Sequence, residues 1–404
     1  MSVGQIVIVG GGHAAYQLCA SLVEAGEGSR VHLVCEEGVP PYQRPPLSKA
    51  YLMKGSEAVQ VFRDSAWYLE QGVHLHLGIA AVAIDRSSGI VTLATGERLS
   101  YEKLVLATGA RARNLVGIHE FMENVVTLRT VRDAEIMRQR LLRTNQGELL
   151  VVGGGFVGLE VAAVARKLGW TVTILEASSR LLSRAVSPDL STIVLKHHLA
   201  MGTQVEFNAL VNEHECNGTR LSWLSVNSNR RAVDELLIGI GSLPEVELAR
   251  NCGLMINDGL VVNTQMQTSD PNILAIGDCT SFPFQGKLMR LESVQNATDQ
   301  AKIAAATLLG KVVEYLPTPS FWSDQSGLRL QMAGLWRPGL KAVLRTGANT
   351  QSGSLFHFDN SELVAVESFN SPVDHMMARK LLELKKSPTP SEVADVQIAL
   401  KGLL

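Results

Sequence analysis

Cysteine is scarce in this chain, and its placement closes off several classes at once. The five residues Cys19, Cys35, Cys216, Cys252 and Cys279 are odd in number and form no Cys-x-x-Cys pair. That argues against a disulfide framework or a zinc site and for reduced thiols in a cytoplasm. A charge excess is also missing. Lys plus Arg number 37 against 39 for Asp plus Glu, so the overall charge does not draw the chain to nucleic acid or an anionic membrane. The longest apolar stretch, Leu149 to Ala165, is broken by four glycines and Glu160 and is no membrane span. Low-complexity segments are absent. The first apolar run starts within a few residues of Met1, so no leader peptide is expected. What remains is a chain of 404 residues, long enough for two or three domains with ample cores.

One device occurs twice. Ile6-Val7-Ile8-Val9 runs into Gly10-Gly11-Gly12-His13-Ala14-Ala15 and is followed by Glu36. Leu149-Leu150-Val151-Val152 runs into Gly153-Gly154-Gly155-Phe156-Val157-Gly158 and is followed by Glu176. Each apolar run reads as a buried strand that a G-x-G-x-x-G/A turn converts into a helix. There, backbone N–H groups can approach a pyrophosphate at the positive helix end. An acidic residue roughly twenty positions on is placed to bind a ribose hydroxyl. A single match of this kind also serves packing alone, but two with acidic partners point to two dinucleotides, a flavin and a nicotinamide.

Between and beyond the motifs, residues 1 to about 110 alternate strand and helix signals and end at the buried run Leu104–Ala107 before Thr108-Gly109. Val73 to Leu77 alternates, which puts His74 and His76 on one exposed strand face as solvated histidines rather than a metal pair. A helix is expected over Val131–Arg143, and a second βαβ region from about Gly147 to Gly241. Ile273–Ile276 reads as a further buried strand, and Ser293–Leu309 as a helix that Gly310 stops. Leu316-Pro317-Thr318-Pro319 is a stiff link into a third region. That region holds β-like runs at Leu328–Leu335, Lys341–Arg345 and Leu363–Glu367 and a terminal helix pattern.

The stretch Pro40-Pro41-Tyr42-Gln43-Arg44-Pro45-Pro46-Leu47-Ser48-Lys49 is rigid, and Ser48 is placed to cap a following helix. Lys49 would then lie in the first turn, where a cation is disfavoured. It calls for an anionic ligand or a carboxylate, unless it is simply solvated.

The string Arg44 to Lys49, both glycine motifs, Ala275-Ile276-Gly277-Asp278, Arg290 to Ala297 (RLESVQNA) and Phe321-Trp322-Ser323-Asp324-Gln325 follow one another in this order. In them the chain resembles the oxygenase-coupled NADH–ferredoxin reductases. These FAD flavoproteins feed ring-hydroxylating dioxygenases or bacterial cytochrome monooxygenases. The match runs from the first strand to about residue 375. It implies an α/β, glutathione-reductase-like fold with two Rossmann-type dinucleotide-binding domains plus a C-terminal α+β domain. The FAD domain would comprise 1–110 and 242–316, the NAD domain 111–241, and the C-terminal domain 317–404.

The resemblance also assigns residues. For FAD it implies Gly10, Gly12, His13 and Ala14 around the pyrophosphate, Glu36 on the ribose, and Arg44, Pro45 and Lys49 from the proline string. It adds Val82, whose backbone meets the adenine, Ala107, Thr108 and Gly109 closing the pocket, and Arg129. Gly277 and Asp278 would reach the ribityl chain, and Glu292, Ser293 and Val294 the flavin edge at a helix start. For NAD it implies Gly153, Gly155, Phe156, Val157, Glu176, Arg184, Gly241 and Glu292. A carboxylate at Glu176 favours NADH over NADPH, although Arg180 and Arg184 are of a type that can hold a 2′-phosphate. Lys49 and Glu160 would pair at the hydride-transfer site, with Trp322 packed at flavin and nicotinamide; Glu160 contacts the NAD as well. No metal site is implied. The partner would be a small iron–sulfur ferredoxin, with Arg63 and Lys302 as docking cations. One departure is Glu245, where the family commonly has Asn after the proline.

Three alternatives have stated signatures. A disulfide or peroxide reductase of the same fold needs a redox cysteine in the stretch occupied by Arg44–Lys49. A non-catalytic flavoprotein resembling apoptosis-inducing factor shares Arg-Pro-Pro-Leu-Ser-Lys but would carry a leader and a basic nucleic-acid surface. A rubredoxin acceptor in place of ferredoxin is the reading that sequence separates least.

Overall fold

A computed structural model of the chain describes residues 4–53, 58–118, 122–143, 147–347 and 351–404. It forms two compact units. The first gathers Met1–Arg44, Val59–Arg111 and Leu243–Pro317; the second gathers Pro45–Ala58, Ala112–Ser242 and Thr318–Leu404.

The first unit is built on a five-stranded parallel sheet. Its strands lie in the order Ile273–Ala275, Lys103–Leu106, Ile6–Val9, Val31–Cys35, His74–Leu77. Strands covered on both faces need unbroken apolar runs, which is how Ile6–Val9 and Leu104–Leu106 read and why they are fully buried. The helices His13–Glu24 and Val294–Leu308 pack on one another. Ala297, Ala301, Ala304 and Ala305 are buried on the second helix, and small side chains let two helices approach closely. Ser293 caps that helix, accepting from the Asn296 N–H, and Gly310 follows it at φ +73°.

In the second unit another five-stranded parallel sheet runs Gln204–Phe207, Thr171–Glu176, Glu148–Val152, Glu235–Ile238, Val125–Thr127. The C-terminal part of the unit is an antiparallel sheet. Its strands are ordered Ser320–Asp324, Arg329–Gly334, Glu362–Phe369, Gly353–Asp359, Lys341–Thr346, and the helix Pro372–Glu383 packs on it. The β-like runs read in this region fall on three of those strands.

Two local expectations change. Ser48 caps no helix: the chain makes two 3₁₀ turns, Pro45–Ser48 and Ala50–Leu52, with Lys49 between them. His74 and His76 do share a face, but His32 of the neighbouring strand joins them. The His32 and His74 rings stack 4.5 Å apart and His32 Nδ1 lies 3.1 Å from His76 Nε2. His76 is consequently half-buried rather than solvated, and among the described residues no cluster suits a metal ion.

Candidate active site

In both parallel sheets the glycine motif leaves the carboxyl end of the central strand, the place where ligands bind such sheets. Gly10 has φ +131° and Gly153 φ +105°, and a Cβ on either would land on a carbonyl oxygen, of Ala107 and Gly239 respectively. Only glycine fits there. Gly12 and Gly155 differ: the nearest atoms to a Cβ would be Arg44 Nε at 3.9 Å and the Gly239 oxygen at 3.7 Å. Their missing side chains leave room on the outer face of the loop. The helices that follow, His13–Glu24 and Phe156–Lys167, start without a side-chain cap and without an acidic residue in the first turn. Exposed N–H donors, a positive dipole and an open approach are what a pyrophosphate needs. The residues present therefore fit a dinucleotide at each motif.

In the first unit, further residues converge on Gly12. Arg44 bonds Glu37 at 2.7 Å, and Tyr42 donates to the same carboxylate at 2.6 Å. The His13 ring meets Phe62 edge-on, and Phe62 stacks on Tyr16 at 4.2 Å. Glu36 ends exposed beside this group. A Cβ on Gly277 would lie 3.2 Å from that of Ala14 and 3.9 Å from that of Ala297. The turn carrying Asp278 is thus set against both helices. Thr108 donates to the Glu245 carbonyl at 2.6 Å, and the Glu245 N–H bonds the Gly109 carbonyl. Glu245 itself reaches Arg111 Nε at 3.1 Å, a partner that accounts for an acidic residue at this position. Val82 is exposed on the strand Ala81–Asp85, and Glu292 pairs with Arg290.

In the second unit, Glu176 closes back on its glycine loop. One carboxylate oxygen accepts from the Gly154 N–H and the other from the Ser178 N–H, both at 2.7 Å. Arg184 is exposed with a guanidinium nitrogen 3.4 Å from where a Gly241 Cβ would lie. Arg180 is committed elsewhere, donating to the carbonyls of Val186 and Ser183 and lying over the Trp336 ring. Arg129 precedes the helix Val131–Arg143, and its N–H and that of Thr130 donate to Asp133 in the first turn.

The same unit holds a buried carboxylate. Glu160, 5% exposed, lies two residues past Gly158 on the helix Phe156–Lys167, in the otherwise apolar stretch Leu159–Ala165. Lys49 Nζ lies 2.7 Å from its Oε2, Ser48 donates to that oxygen at 2.5 Å, and Ser323 donates to Oε1 at 2.6 Å. A charge so buried must be paired and hydrogen-bonded, and this one is both. The ammonium is held further by the Pro45 carbonyl at 3.1 Å. On the strand Ser320–Asp324, alternation sends Ser323 and Phe321 to one face and Trp322 to the other. Phe321 meets Phe156 with ring centroids 4.5 Å apart, while Trp322 remains 37% exposed. The sequence reads Ser48 only as a helix cap, and Phe321 and Ser323 only as members of a string; it assigns none of the three to the site. The position of Ser323 one residue from Trp322 on a strand was the signal available for it.

Residues 4–301 match the model of the pyridine nucleotide-disulphide oxidoreductases. The chain belongs to that family. Residues 320–404 match the reductase C-terminal domain found beside it. Among its relatives, rhodocoxin reductase of Rhodococcus erythropolis is 39% identical, over 98% of this chain and 93% of its own. A ferredoxin reductase of the CYP199A2 system from Rhodopseudomonas palustris superposes with a TM-score of 0.94 at 38% identity, each chain 99% covered. Putidaredoxin reductase in its covalent complex with putidaredoxin does so at 0.93 and 34%, covering 100% of this chain and 98% of that one.

For a member of a disulphide oxidoreductase family, the thiols are telling. All five cysteines are free. Burial pushes Cys19 and Cys35 up to about 12, and raises Cys279 as well. Such groups stay protonated at neutral pH, the reverse of a redox-active thiolate.

Proposed function

We propose that this chain is an NADH-dependent ferredoxin reductase whose FAD passes electrons to a small two-iron ferredoxin serving an oxygenase. The observation that carries the reading is the occupant of the stretch after the proline string. Arg44–Lys49, with Lys49 bonded to the buried Glu160, occupies the stretch where a disulfide reductase of this fold needs its cysteine, and the buried thiols Cys19, Cys35 and Cys279 are held protonated by burial. Bound FAD supplies the redox chemistry, accepting two electrons from NADH and releasing them one at a time.

In this reading the first glycine motif, with Glu36, Arg44, Val82, Ala107 to Gly109, Gly277, Asp278 and Ser293–Val294, holds FAD, joined by Pro45, Lys49, Arg129, Glu292 and Trp322. The second motif, with Phe156, Val157, Glu176, Arg184 and Gly241, holds NADH, and Glu292 reaches its amide. Lys49 and Glu160 fix a charge pair at the hydride-transfer site, and Trp322 offers an aromatic face there. The division into an FAD domain (1–110 and 242–316), an NAD domain (111–241) and a C-terminal domain (317–404) belongs to the same reading, as does a cytoplasmic location. Among the described residues no helix is long and apolar enough to cross a membrane.

The test is spectroscopic and kinetic. Purified protein should carry flavin absorbance bands at one FAD per chain. With NADH it should reduce a two-iron ferredoxin faster than rubredoxin, and far faster than a disulfide or a peroxide. Protein that cannot be reconstituted with FAD, or that turns over a disulfide faster than ferredoxin, would overturn the assignment.

A further inference from the structure

Behind Glu160 the second unit contains a line of buried polar groups that the proposed reaction does not use. Ser323, Gln325 and His198 are each fully buried. The Ser323 hydroxyl lies 2.6 Å from Glu160 Oε1, the Gln325 amide nitrogen 3.2 Å from Ser323 Oγ, and His198 Nε2 2.9 Å from Gln325 Oε1. Gln325 is held tightly. It opens the turn Gln325-Ser326-Gly327-Leu328, closed by a Gln325 N–H bond to the Leu328 carbonyl, with positive φ at both central residues. His197, the neighbour of His198 on the helix Pro188–Ala200, reaches the Gln325 carbonyl at 2.7 Å. Two consecutive histidines thus grip one glutamine, by its backbone and by its side chain.

The chemistry of each group fixes the direction of every bond. A hydroxyl 2.6 Å from a carboxylate must donate, which leaves the Ser323 oxygen to accept. Only the NH₂ end of Gln325 can then face Ser323, so its carbonyl end faces His198, and His198 must carry its proton on Nε2. The other ring nitrogen, Nδ1, is buried without a partner among the described residues. A lone pair there costs less than an orphan N–H of a charged ring, and burial lowers the His198 pKa to about 4. All three bonds consequently point their protons toward Glu160, and bonds aligned in series polarise one another.

We propose that Ser323, Gln325 and His198 are positioning residues of the reductive reaction, a one-way chain of donors that orients Glu160 and stabilises its negative charge against Lys49. The proposal rests on the reading of Glu160 as a hydride-site residue. It gives the paired histidines and Gln325 a role in rate although none of them meets substrate.

Two measurements on the FAD-loaded, full-length enzyme test it. In ¹⁵N-histidine-labelled protein at pH 7, His198 (identified by its loss in His198→Gln) should be neutral and protonated on Nε2. That resonance should shift when Glu160→Gln is introduced. In stopped-flow reduction of the flavin by NADH, Ser323→Ala should slow the reaction about tenfold, the worth of one hydrogen bond to a charged group, and Gln325→Leu, whose bonds are to neutral partners, should slow it by a smaller factor of a few-fold. The slowing should vanish when Glu160→Gln is already present, because the chain acts only through that carboxylate. A His198 protonated on Nδ1, no ¹⁵N response to Glu160→Gln, or equal slowing in both backgrounds would overturn the proposal alone. Native flavin reduction in Glu160→Gln would remove the hydride-site reading and the proposal with it.

Discussion

Glu176 and Arg180 lie four residues apart and differ in what their charges are free to do. Glu176 keeps both oxygens on backbone N–H groups of the glycine loop region, so its negative charge stays at the mouth of the second motif. Arg180 spends its guanidinium on two carbonyls and the Trp336 ring and would have to break those contacts to hold a 2′-phosphate. Arg184 alone remains exposed near Gly241, and NADH is the expected substrate. Glu176→Ala removes a bond to a charged group, worth roughly 1.5–3 kcal/mol, and relieves repulsion of a 2′-phosphate. NADH preference in kcat/KM should fall by about one to two decades. A parent enzyme that already prefers NADPH would refute this. At this scale the sequence was readable where a residue's position follows from its strand, as for Glu176 at the end of Thr171–Glu176. It was silent on the distant partner Ser323, 163 positions from Glu160, whereas the Lys49–Glu160 pair, 111 positions apart, was expected only through the resemblance.

At the scale of elements, the two glycines of one motif separate folding from binding. Gly153→Ala puts a side chain into a left-handed backbone region and onto the Gly239 carbonyl. The backbone conformation alone costs about 1–3 kcal/mol, and the clash adds to it. Gly155→Ala has neither problem, with φ −83° and nothing nearer than 3.7 Å. It should leave the melting temperature nearly unchanged while raising KM for NADH about tenfold, because it fills the approach to the pyrophosphate. A Gly155→Ala enzyme with native KM would place the nucleotide elsewhere. The parallel strands were legible because burial on both faces demands unbroken apolar runs. The helix expected after Ser48 was not formed, since Ser48 and Lys49 turn toward Glu160, a contact no local pattern contains. Gly353–Asp359 was also missed as a strand. It is nearly all buried, yet it includes Ser354 and His357, which bond Ser368 and Glu367 of the adjacent strand. A polar pair inside a sheet erases the hydrophobic signal.

For the molecule as a whole, the charges nearly cancel, so attraction to an acidic ferredoxin has to come from local cations. Arg63, lying over the Trp67 ring, and Lys302 are both exposed, as docking residues must be. Rim charges act mainly on encounter rate and are screened by salt. Charge reversal at either should slow ferredoxin reduction several-fold and flatten its ionic-strength dependence, with NADH–ferricyanide activity intact. Unaltered ferredoxin kinetics in both variants would move the docking surface elsewhere. Fold and cofactor set were legible at this scale because they are written in short contiguous motifs. A docking face is assembled from exposed residues that carry no such pattern.

The buried thiols have a consequence for service life. A flavoenzyme that hands out electrons in air is bathed in hydrogen peroxide from stray reaction with oxygen, and peroxide attacks thiolates rather than thiols. With Cys19 and Cys35 held near 12 and Cys279 fully enclosed, the cores of this reductase offer the oxidant almost nothing to attack. After prolonged aerobic turnover all three should still react with a thiol reagent once the chain is unfolded. An electron supplier built this way loses its cofactor, its partner or its outer sulfur, such as the half-buried Cys216 and Cys252, before it loses the thiols of its cores.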